Sequence, residues 1–277
     1  MDDREVGKLW DGNADAWTML VRMGYDIYRD YLNTPWFLAM LPDVSGLRGL
    51  DIGCGEGSNT RLVAQRGATM IGVDISAKFV SHARDHEASE PLGIRYVYGS
   101  GSALPFADES FDFAVAFMSL MDMANQDEAV REACRVLKPG GFFQFSILHP
   151  CFSTPRFKPV RDESGERVAV ECGDYFNQPQ GRIDEWLFGA APPEAKEGLP
   201  RFKVPRFFRT LSSWINLLIE AGFALERMEE PVADDETIAR CPPLAGTRVV
   251  AYYLHMRWGK RPRLTTDEIM ALTRGER

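Results

Sequence analysis

Hydrophobic residues along the chain follow two different periods, and the changes between them predict its elements. Over residues 5–41, apolar and aromatic residues recur at spacings of three and four, which predicts helix, and Pro35 and Pro42 interrupt this pattern near its end. Beyond residue 46, short and almost continuously apolar runs alternate with segments of helical spacing. The runs cover residues 47–52, 69–73, 94–98, 111–117 and 142–148. Apolar strands that alternate with helices predict a parallel sheet with helices on both faces.

The alternation stops after residue 149. Residues 150–208 are rich in Pro, Gly, Arg and aromatic residues and show no helix–strand repeat, which is typical of a long functional loop. A helix over 211–221 and strands over 223–229 and 247–257 then resume the pattern. We therefore predict five segments: an N-terminal helical cap (1–45), a first half of the sheet that carries the glycine-rich turn (46–149), an insertion that covers a substrate (150–208), strands and a helix that complete the sheet (209–258), and a tail (259–277).

Composition narrows the classes of function. The 277 residues carry a net charge of −8, which gives no electrostatic footprint for nucleic acid or for an anionic membrane surface. No apolar run is long enough to cross a bilayer, and the charged N-terminus does not resemble a signal peptide. The five cysteines are scattered without a CxxC pair, so we expect a reduced, cytoplasmic chain with no metal site.

The turn after the first strand carries the clearest chemistry. Residues 50–60 read LDIGCGEGSNT, and glycines at such a turn let the backbone approach a ligand closely. Alone, this GxGxG spacing fits a dinucleotide, a mononucleotide or a tight turn without a ligand. Asp51 precedes the glycines and would repel a pyrophosphate but attract a cation. Asp74 ends the second strand, where an acid can accept both hydroxyls of a ribose. The small residues at 100–103 would admit a flat base.

Together these features resemble the class I S-adenosylmethionine-dependent methyltransferases, in particular their small-molecule branch (methyltransferase type 11-like). The matching stretches are LDIGCGEGSNT (50–60), GVDIS (72–76), GSGSALPFADESFDFAVA (99–116) and RVLKPGGFF (135–143). The resemblance implies an α/β fold with a Rossmann-like, seven-stranded, mostly parallel sheet whose last strand is antiparallel. It also implies that N-terminal helices and an insertion after the fifth strand close over the site.

The resemblance further implies that S-adenosylmethionine is the cofactor and S-adenosylhomocysteine the product. Asp51, Gly53 and Gly55 would then lie near the methionine portion, Asp74 would hold the ribose, and Ile75 would pack on the adenine. The family commonly has Asp where this chain has Ser100, so Ser100, Gly101, Ser102 or backbone carbonyls are expected to bind the adenine amino group. The predicted cofactor-binding residues are Trp10, Asp51, Gly53, Gly55, Asn59, Asp74, Ile75, Gly101, Ser102, Ala103, Phe117 and Met118.

His149 is the candidate catalytic residue. It follows the fifth strand, and ligands of open α/β sheets bind beyond the carboxyl ends of strands, so His149 could act as a general base or be a hydrogen-bonded structural histidine. The predicted reaction is in-line transfer of a methyl group to a small organic acceptor, by a monomer or homodimer. The alternatives are a methyltransferase acting on a protein or nucleic acid, a non-catalytic cofactor-binding or scaffold module, and an NAD-dependent oxidoreductase. The spacing GxGxG, rather than GxGxxG, disfavours NAD.

Overall fold

Eleven strands are formed in the computed structural model, which describes residues 1–261. They are β1 (Arg48–Ile52), β2 (Thr69–Asp74), β3 (Arg95–Tyr98), β4 (Phe111–Phe117), β5 (Leu137–Leu148), β6 (Arg156–Arg161), β7 (Arg167–Gly173), β8 (Gln180–Trp186), β9 (Phe202–Phe207), β10 (Phe223–Glu229) and β11 (Tyr253–Lys260). Seven of them form one sheet in the order β10-β11-β5-β4-β1-β2-β3. Only β11 is antiparallel to its neighbours in this sheet, which confirms the predicted fold.

Helices cover both faces of this sheet. The α-helices are α1 (Asp3–Arg22), α2 (Thr34–Met40), α3 (Ser58–Ala64), α4 (Ala77–Ser89), α5 (Gln126–Val136), α6 (Pro193–Lys196), α7 (Leu211–Glu220) and α8 (Asp235–Arg240). One core cluster joins the sheet to α5 and α7, where Phe145 contacts Trp214. The other joins it to α2, α3 and α4, around Phe113 and Phe37. Burial of the strands on both faces explains their continuous apolar runs. No helix in residues 1–261 has the length and apolar character needed to cross a membrane.

The N-terminal helical segment is divided, which the sequence pattern did not predict. Helix α1 begins with a capping box between Asp2 and Glu5 and ends at Arg22, and Gly24 follows with a positive φ of 79°. A π-helical turn (Arg29–Asn33) then leads into α2. Pro35 lies in the first turn of α2, where no backbone N–H is needed, and so it starts a helix rather than interrupting one.

The insertion is more regular than its sequence indicates. It contains two antiparallel hairpins, β6–β7 and β8–β9, and the second packs against α1. Trp17 of α1 contacts Phe188 and Phe202, with ring centroids 5.0 and 4.8 Å apart. The side chain of Asn13 both donates to the carbonyl of Lys203 and accepts from its N–H. The second hairpin of the insertion and α1 therefore form one continuous cover.

Three predicted boundaries near the later strands were wrong. Strand β5 starts at Leu137, directly after α5, and runs through the Pro-Gly-Gly segment. The strand predicted over 247–257 begins only at Tyr253, because Pro242–Arg248 forms a 3₁₀ helix, and it continues to Lys260. The first residues of the predicted tail therefore belong to β11. Residues 262–277 lie outside the described part of the chain.

Candidate functional site

A cavity of about 660 Å³ lies at the carboxyl ends of β1, β2 and β4. Its floor is made by the loops that follow these strands, and its other walls come from α1, the segment around residues 25–29, the insertion and the residues before β11. The cavity is large enough for a cofactor and part of a second ligand, since drug-sized ligands occupy roughly 300–1,000 Å³. It contains eleven of the twelve predicted cofactor-binding residues; Ala103 is the exception.

The glycine-rich turn is held against the sheet by its own backbone. The N–H groups of Gly53 and Cys54 both donate to the carbonyl of Val73, at 2.8 and 3.1 Å. Gly53 has a φ of +78°, and a Cβ at this position would lie 2.4 Å from the Cβ of Ser119. Gly55 also has a positive φ, with open space where its side chain would be. The positive φ therefore favours glycine at both positions. At Gly53 there is also no room for a side chain.

Asp51 presents an unpaired carboxylate oxygen at this turn. The residue is 1% exposed; its Oδ2 accepts from the hydroxyl of Thr60 at 2.6 Å, while Oδ1 has no partner among the described residues. Burial raises the pKa of Asp51 to about 7, the hydrogen bond from Thr60 opposes this, and nearby Asp74 adds to it. A buried carboxylate oxygen without a donor is costly, so the site favours a cationic N–H donor.

Asp74 is fixed by two backbone donors. Its Oδ2 accepts from the N–H of Gly55 and its Oδ1 from the N–H of Ser76, both at 2.8 Å. Burial raises the pKa of Asp74 to about 6, and these N–H groups oppose the shift. Each carboxylate oxygen keeps a second acceptor site, so the group can receive two hydroxyls.

An apolar slot lies beyond Asp74. Ile75, Phe79 and Trp10 line it, and the rings of Trp10 and Phe79 are 6.0 Å apart. Gly101 also lines the cavity, and it packs too closely on β1 for a larger side chain, because a Cβ there would lie 2.8 Å from Ile52. Flat aromatic groups fit such slots. Ala103 was predicted to contribute to cofactor binding; it is exposed and lies outside the cavity wall, and its contact with the cofactor stays a prediction.

The remaining predicted residues line the cavity near the ends of β4 and α3. Asn59 accepts from the hydroxyl of Thr34 at 2.9 Å. Phe117 ends β4, and Met118 follows it with a φ of +54° that its N–H bond to the carbonyl of Ser146 maintains. The strand end therefore turns sharply into the cavity, and this places a flexible thioether at its wall.

His149 does not lie in the cavity wall. It is 4% exposed; its Nε2 is 2.8 Å from Glu230, and its Nδ1 accepts from the N–H of Cys151. Since Nδ1 accepts, Nε2 carries the proton that is donated to Glu230, and both ring nitrogens are occupied. Burial lowers the pKa of His149 although Glu230 raises it. Its position outside the cavity wall and its two engaged nitrogens favour the structural alternative, while the role of His149 as a general base stays a prediction.

A buried ion pair that sequence reasoning missed lies in the cavity instead. Asp122, in the turn after β4, is 6% exposed, and its Oδ1 is 3.2 Å from Nη1 of Arg206 on β9. The Nε of Arg206 is also 3.5 Å from Asp184. Burial raises the pKa of Asp122 to about 7 against the effect of Arg206. The sequence signal for this pair was Asp122 itself, an aspartate in an otherwise apolar stretch after a strand. The sequence around Arg206 gave no such signal.

Comparisons with known proteins agree with this geometry. A family described as "Methyltransferase domain" matches residues 50–145. The 27-O-demethylrifamycin SV methyltransferase of Amycolatopsis mediterranei is 34% identical over 237 residues, covering 78% of this chain and 84% of that protein. A crystal structure of an S-adenosylmethionine-dependent methyltransferase from Mesorhizobium loti is 30% identical with a TM-score of 0.66, covering 81% of this chain and 96% of that one.

The chain belongs to the S-adenosylmethionine-dependent methyltransferases. Other relatives in this family share shorter stretches. The ubiquinone/menaquinone biosynthesis C-methyltransferase of Legionella pneumophila (strain Corby) is 40% identical over 134 residues, 46% of this chain and 52% of that protein. The chain thus spans about half the length of that relative, and 37% of methyltransferase GfsG from Streptomyces halstedii.

The site residues fit the cofactor of this methyltransferase family. The unpaired Oδ1 of Asp51 suits the ammonium group of the methionine portion, and the free acceptor sites of Asp74 suit the ribose hydroxyls. The slot beside Ile75 suits the adenine ring. The acidic residue before the glycines also distinguishes this site from a pyrophosphate site.

Proposed function

We propose that this methyltransferase transfers a methyl group from S-adenosylmethionine to a small organic acceptor. The observation that supports this proposal best is a single covered cavity, in which the predicted cofactor residues lie beside a second region lined by aromatic rings. That region includes Tyr25, Tyr28, Trp186, Phe188 and Tyr252. The named substrate of the rifamycin relative supports a small acceptor. The monomer or homodimer and the cytoplasmic location expected from the sequence belong to this proposal as well.

The protein's contribution is alignment and exclusion of water. Bound S-adenosylmethionine supplies a methyl group that is already activated by its sulfonium. Asp51 and Asp74 would fix the two ends of the cofactor's polar portion, and the cover made by α1 and the insertion would keep water out. Orientation of two reactants can contribute on the order of 7–11 kcal/mol of the barrier. A dry site also favours a reaction in which a concentrated positive charge is dispersed.

The charges of the cavity favour an acceptor without negative charge. Its wall carries carboxylates from Asp3, Asp26, Asp51, Glu56, Asp74 and Asp122. Among the described residues, two guanidinium groups accompany them, and both are paired: Arg29 lies 2.6 Å from Asp30 and 3.6 Å from Glu56, and Arg206 pairs with Asp122. Besides Asp51 and Asp74, which the cofactor would occupy, four carboxylates remain against two guanidinium groups, so a carboxylate or phosphate on the acceptor would meet like charge. Neutral hydroxyl compounds and amines are the acceptors that these charges support.

Asp122 is our candidate for the proton acceptor when the substrate is a hydroxyl or an ammonium. It lines the cavity, as His149 does not, and its carboxylate is oriented by Arg206. A general base works best when its pKa lies near the operating pH, and burial moves Asp122 toward that range.

Calorimetry with S-adenosylhomocysteine tests the cofactor assignment. We expect the wild-type chain to bind it and Asp74→Ala to weaken binding by roughly 1.5–3 kcal/mol for each hydrogen bond lost to the carboxylate. Asp85→Ala, at an exposed position on α4, is the matched control and should bind like wild type. Unchanged affinity in Asp74→Ala would refute the ribose assignment. Incubation with methyl-labelled S-adenosylmethionine and a panel of phenols and amines then tests transfer, and failure with every neutral acceptor but success with carboxylates would overturn the proposed acceptor class.

A further inference from the structure

The side chain of Asp3 joins the start of α1 to two loops of the sheet. Its Oδ2 accepts from the hydroxyls of Ser100 and Ser102, at 2.6 and 2.5 Å. Its Oδ1 accepts from the side-chain amide of Asn125 at 3.0 Å. Asp3, Ser100 and Ser102 all line the cavity, and Gly7, one turn further along α1, lies against Ile75, since a Cβ at Gly7 would be 3.1 Å from the carbonyl oxygen of Ile75. An acidic residue that is distant in sequence is thus built into the base end of the cofactor site.

The two serines are already engaged by this carboxylate. Each hydroxyl has one proton, and both protons point to Asp3. The oxygen of Ser100 in addition accepts from the N–H of Ser102 at 3.1 Å. Each hydroxyl can still accept from the adenine amino group through a lone pair, but as a neutral acceptor it would form a weaker hydrogen bond than the carboxylate of Asp3.

The carboxylate of Asp3 can accept a further hydrogen bond. An ionised carboxylate offers about four acceptor sites, and the described residues use three of those of Asp3. The free site is on Oδ1, since Oδ2 already accepts two hydroxyls. No Lys or Arg within residues 1–261 forms an ion pair with Asp3. The group therefore offers a charged acceptor to a neutral N–H donor at the cavity wall.

We propose that Asp3 accepts a hydrogen bond from the exocyclic amino group of the adenine. Helix α1 then recognises the base as well as covering it. This inference rests on the proposed function, because it assumes that the cavity holds an adenosine cofactor. A carboxylate can only accept, so it selects a base with an amino group at this position over a base with a carbonyl group. Ser100 and Ser102 then act as positioning residues that hold the carboxylate at the wall.

S-Inosylhomocysteine is the probe that separates the two bases: it has a carbonyl in place of that amino group and a proton on N1, which is an acceptor in adenine. We expect the wild-type chain to bind the adenosyl compound at least about tenfold more tightly, because a hydrogen bond to a charged group is replaced by repulsion. In Asp3→Asn the amide can donate as well as accept, so this preference should fall to about threefold or less. Glu5→Gln is the matched control: it removes another acid of the first helical turn, one that lies outside the cavity wall, and should keep the full preference.

Calorimetry with both compounds on all three proteins gives distinct outcomes. Loss of preference in Asp3→Asn alone supports the inference. Equal weakening of both compounds, or no change in either, overturns it and leaves Asp3 a residue that only anchors α1. If Asp3→Asn does not fold, Ser102→Ala provides the second test: it removes one of the two hydroxyls that orient the carboxylate, and an unchanged preference there overturns the inference. A wild-type chain that binds neither compound refutes the proposed function itself.

Discussion

Lowering the pH from about 7.5 to about 6 should weaken the binding of S-adenosylhomocysteine about eightfold through Asp51 alone. The reason is the carboxyl group of Asp51, whose pKa burial raises to about 7 in the ligand-free protein. The ammonium group of the ligand needs the ionised carboxylate, so protein that holds a proton on Asp51 must release it before binding. The site is therefore expected to bind more tightly as the pH rises through 7.

The magnitude follows from the ionised fraction. With a pKa of about 7, roughly three quarters of Asp51 is ionised at about pH 7.5 and roughly one tenth at about pH 6. The pH dependence of folding stability has the opposite sign to the pH dependence of ligand binding. A carboxyl group whose folded-state pKa is raised stabilises the ligand-free protein fully only below its ordinary value of 3.8, and this contribution is lost as the pH rises through about 7.

Calorimetry in buffers with different ionisation enthalpies measures both the affinity and the protons released. Two controls isolate Asp51. 5′-Methylthioadenosine carries the adenosine but no ammonium group, so its pH dependence reports only other groups, such as Asp74, whose pKa is about 6. Asp51→Asn removes the titrating carboxyl and should abolish the difference between the two ligands. Equal pH dependence of both ligands in the wild-type chain would refute the pairing of Asp51 with the ammonium.

Three further outcomes are expected. Gly53→Ala should lower the free energy of unfolding by about 2–3 kcal/mol, since its Cβ would lie 2.4 Å from Ser119, whereas Gly55→Ala, with open space, should lose only about 1 kcal/mol; equal denaturation midpoints would contradict this. Trp17→Ala should expose residues 150–208 to limited proteolysis, because it removes contacts with Phe188; an unchanged digestion pattern would count against the shared cover. Asp122→Asn should slow transfer to a hydroxyl acceptor by about 10²–10⁴-fold, while His149→Gln should retain it in the same labelled-methyl assay; the reverse order would restore His149 as the base.

The central sheet could be predicted from the sequence because each strand carries its own signal. Strand β4 is buried on both faces, so nearly every residue of Phe111–Phe117 is apolar. The hairpins of the insertion carry no such signal: their residues are mostly exposed or half-buried, and Pro159 and Pro205 lie within their strands. Their order depends on contacts with α1 and with each other, which no local pattern reports.

The residues of the candidate site also fall into those that a local sequence pattern predicts and those that it does not. Asp51 and Asp74 could be predicted because Asp51 directly precedes the glycine-rich turn and Asp74 ends the adjacent strand, so both lie at one edge of the sheet. His149 was placed at that edge as well, but its position in the chain does not fix the direction of its side chain. The pair Asp122–Arg206 joins residues 84 positions apart, and Asp3–Ser100 joins residues 97 apart. Such long-range partners follow only from the folded chain.

Helix α1 has a consequence for how ligands enter and leave. Its first turn is bonded to the loop at Ser100, its middle to the start of α4 through Asp11 and Ser76, and Asn13 to the edge of β9. A movement that opens the nucleoside end therefore also pulls on the strand that carries Arg206. Under the proposed function, exchange of the cofactor and release of the methylated product would therefore depend on the same movement of α1.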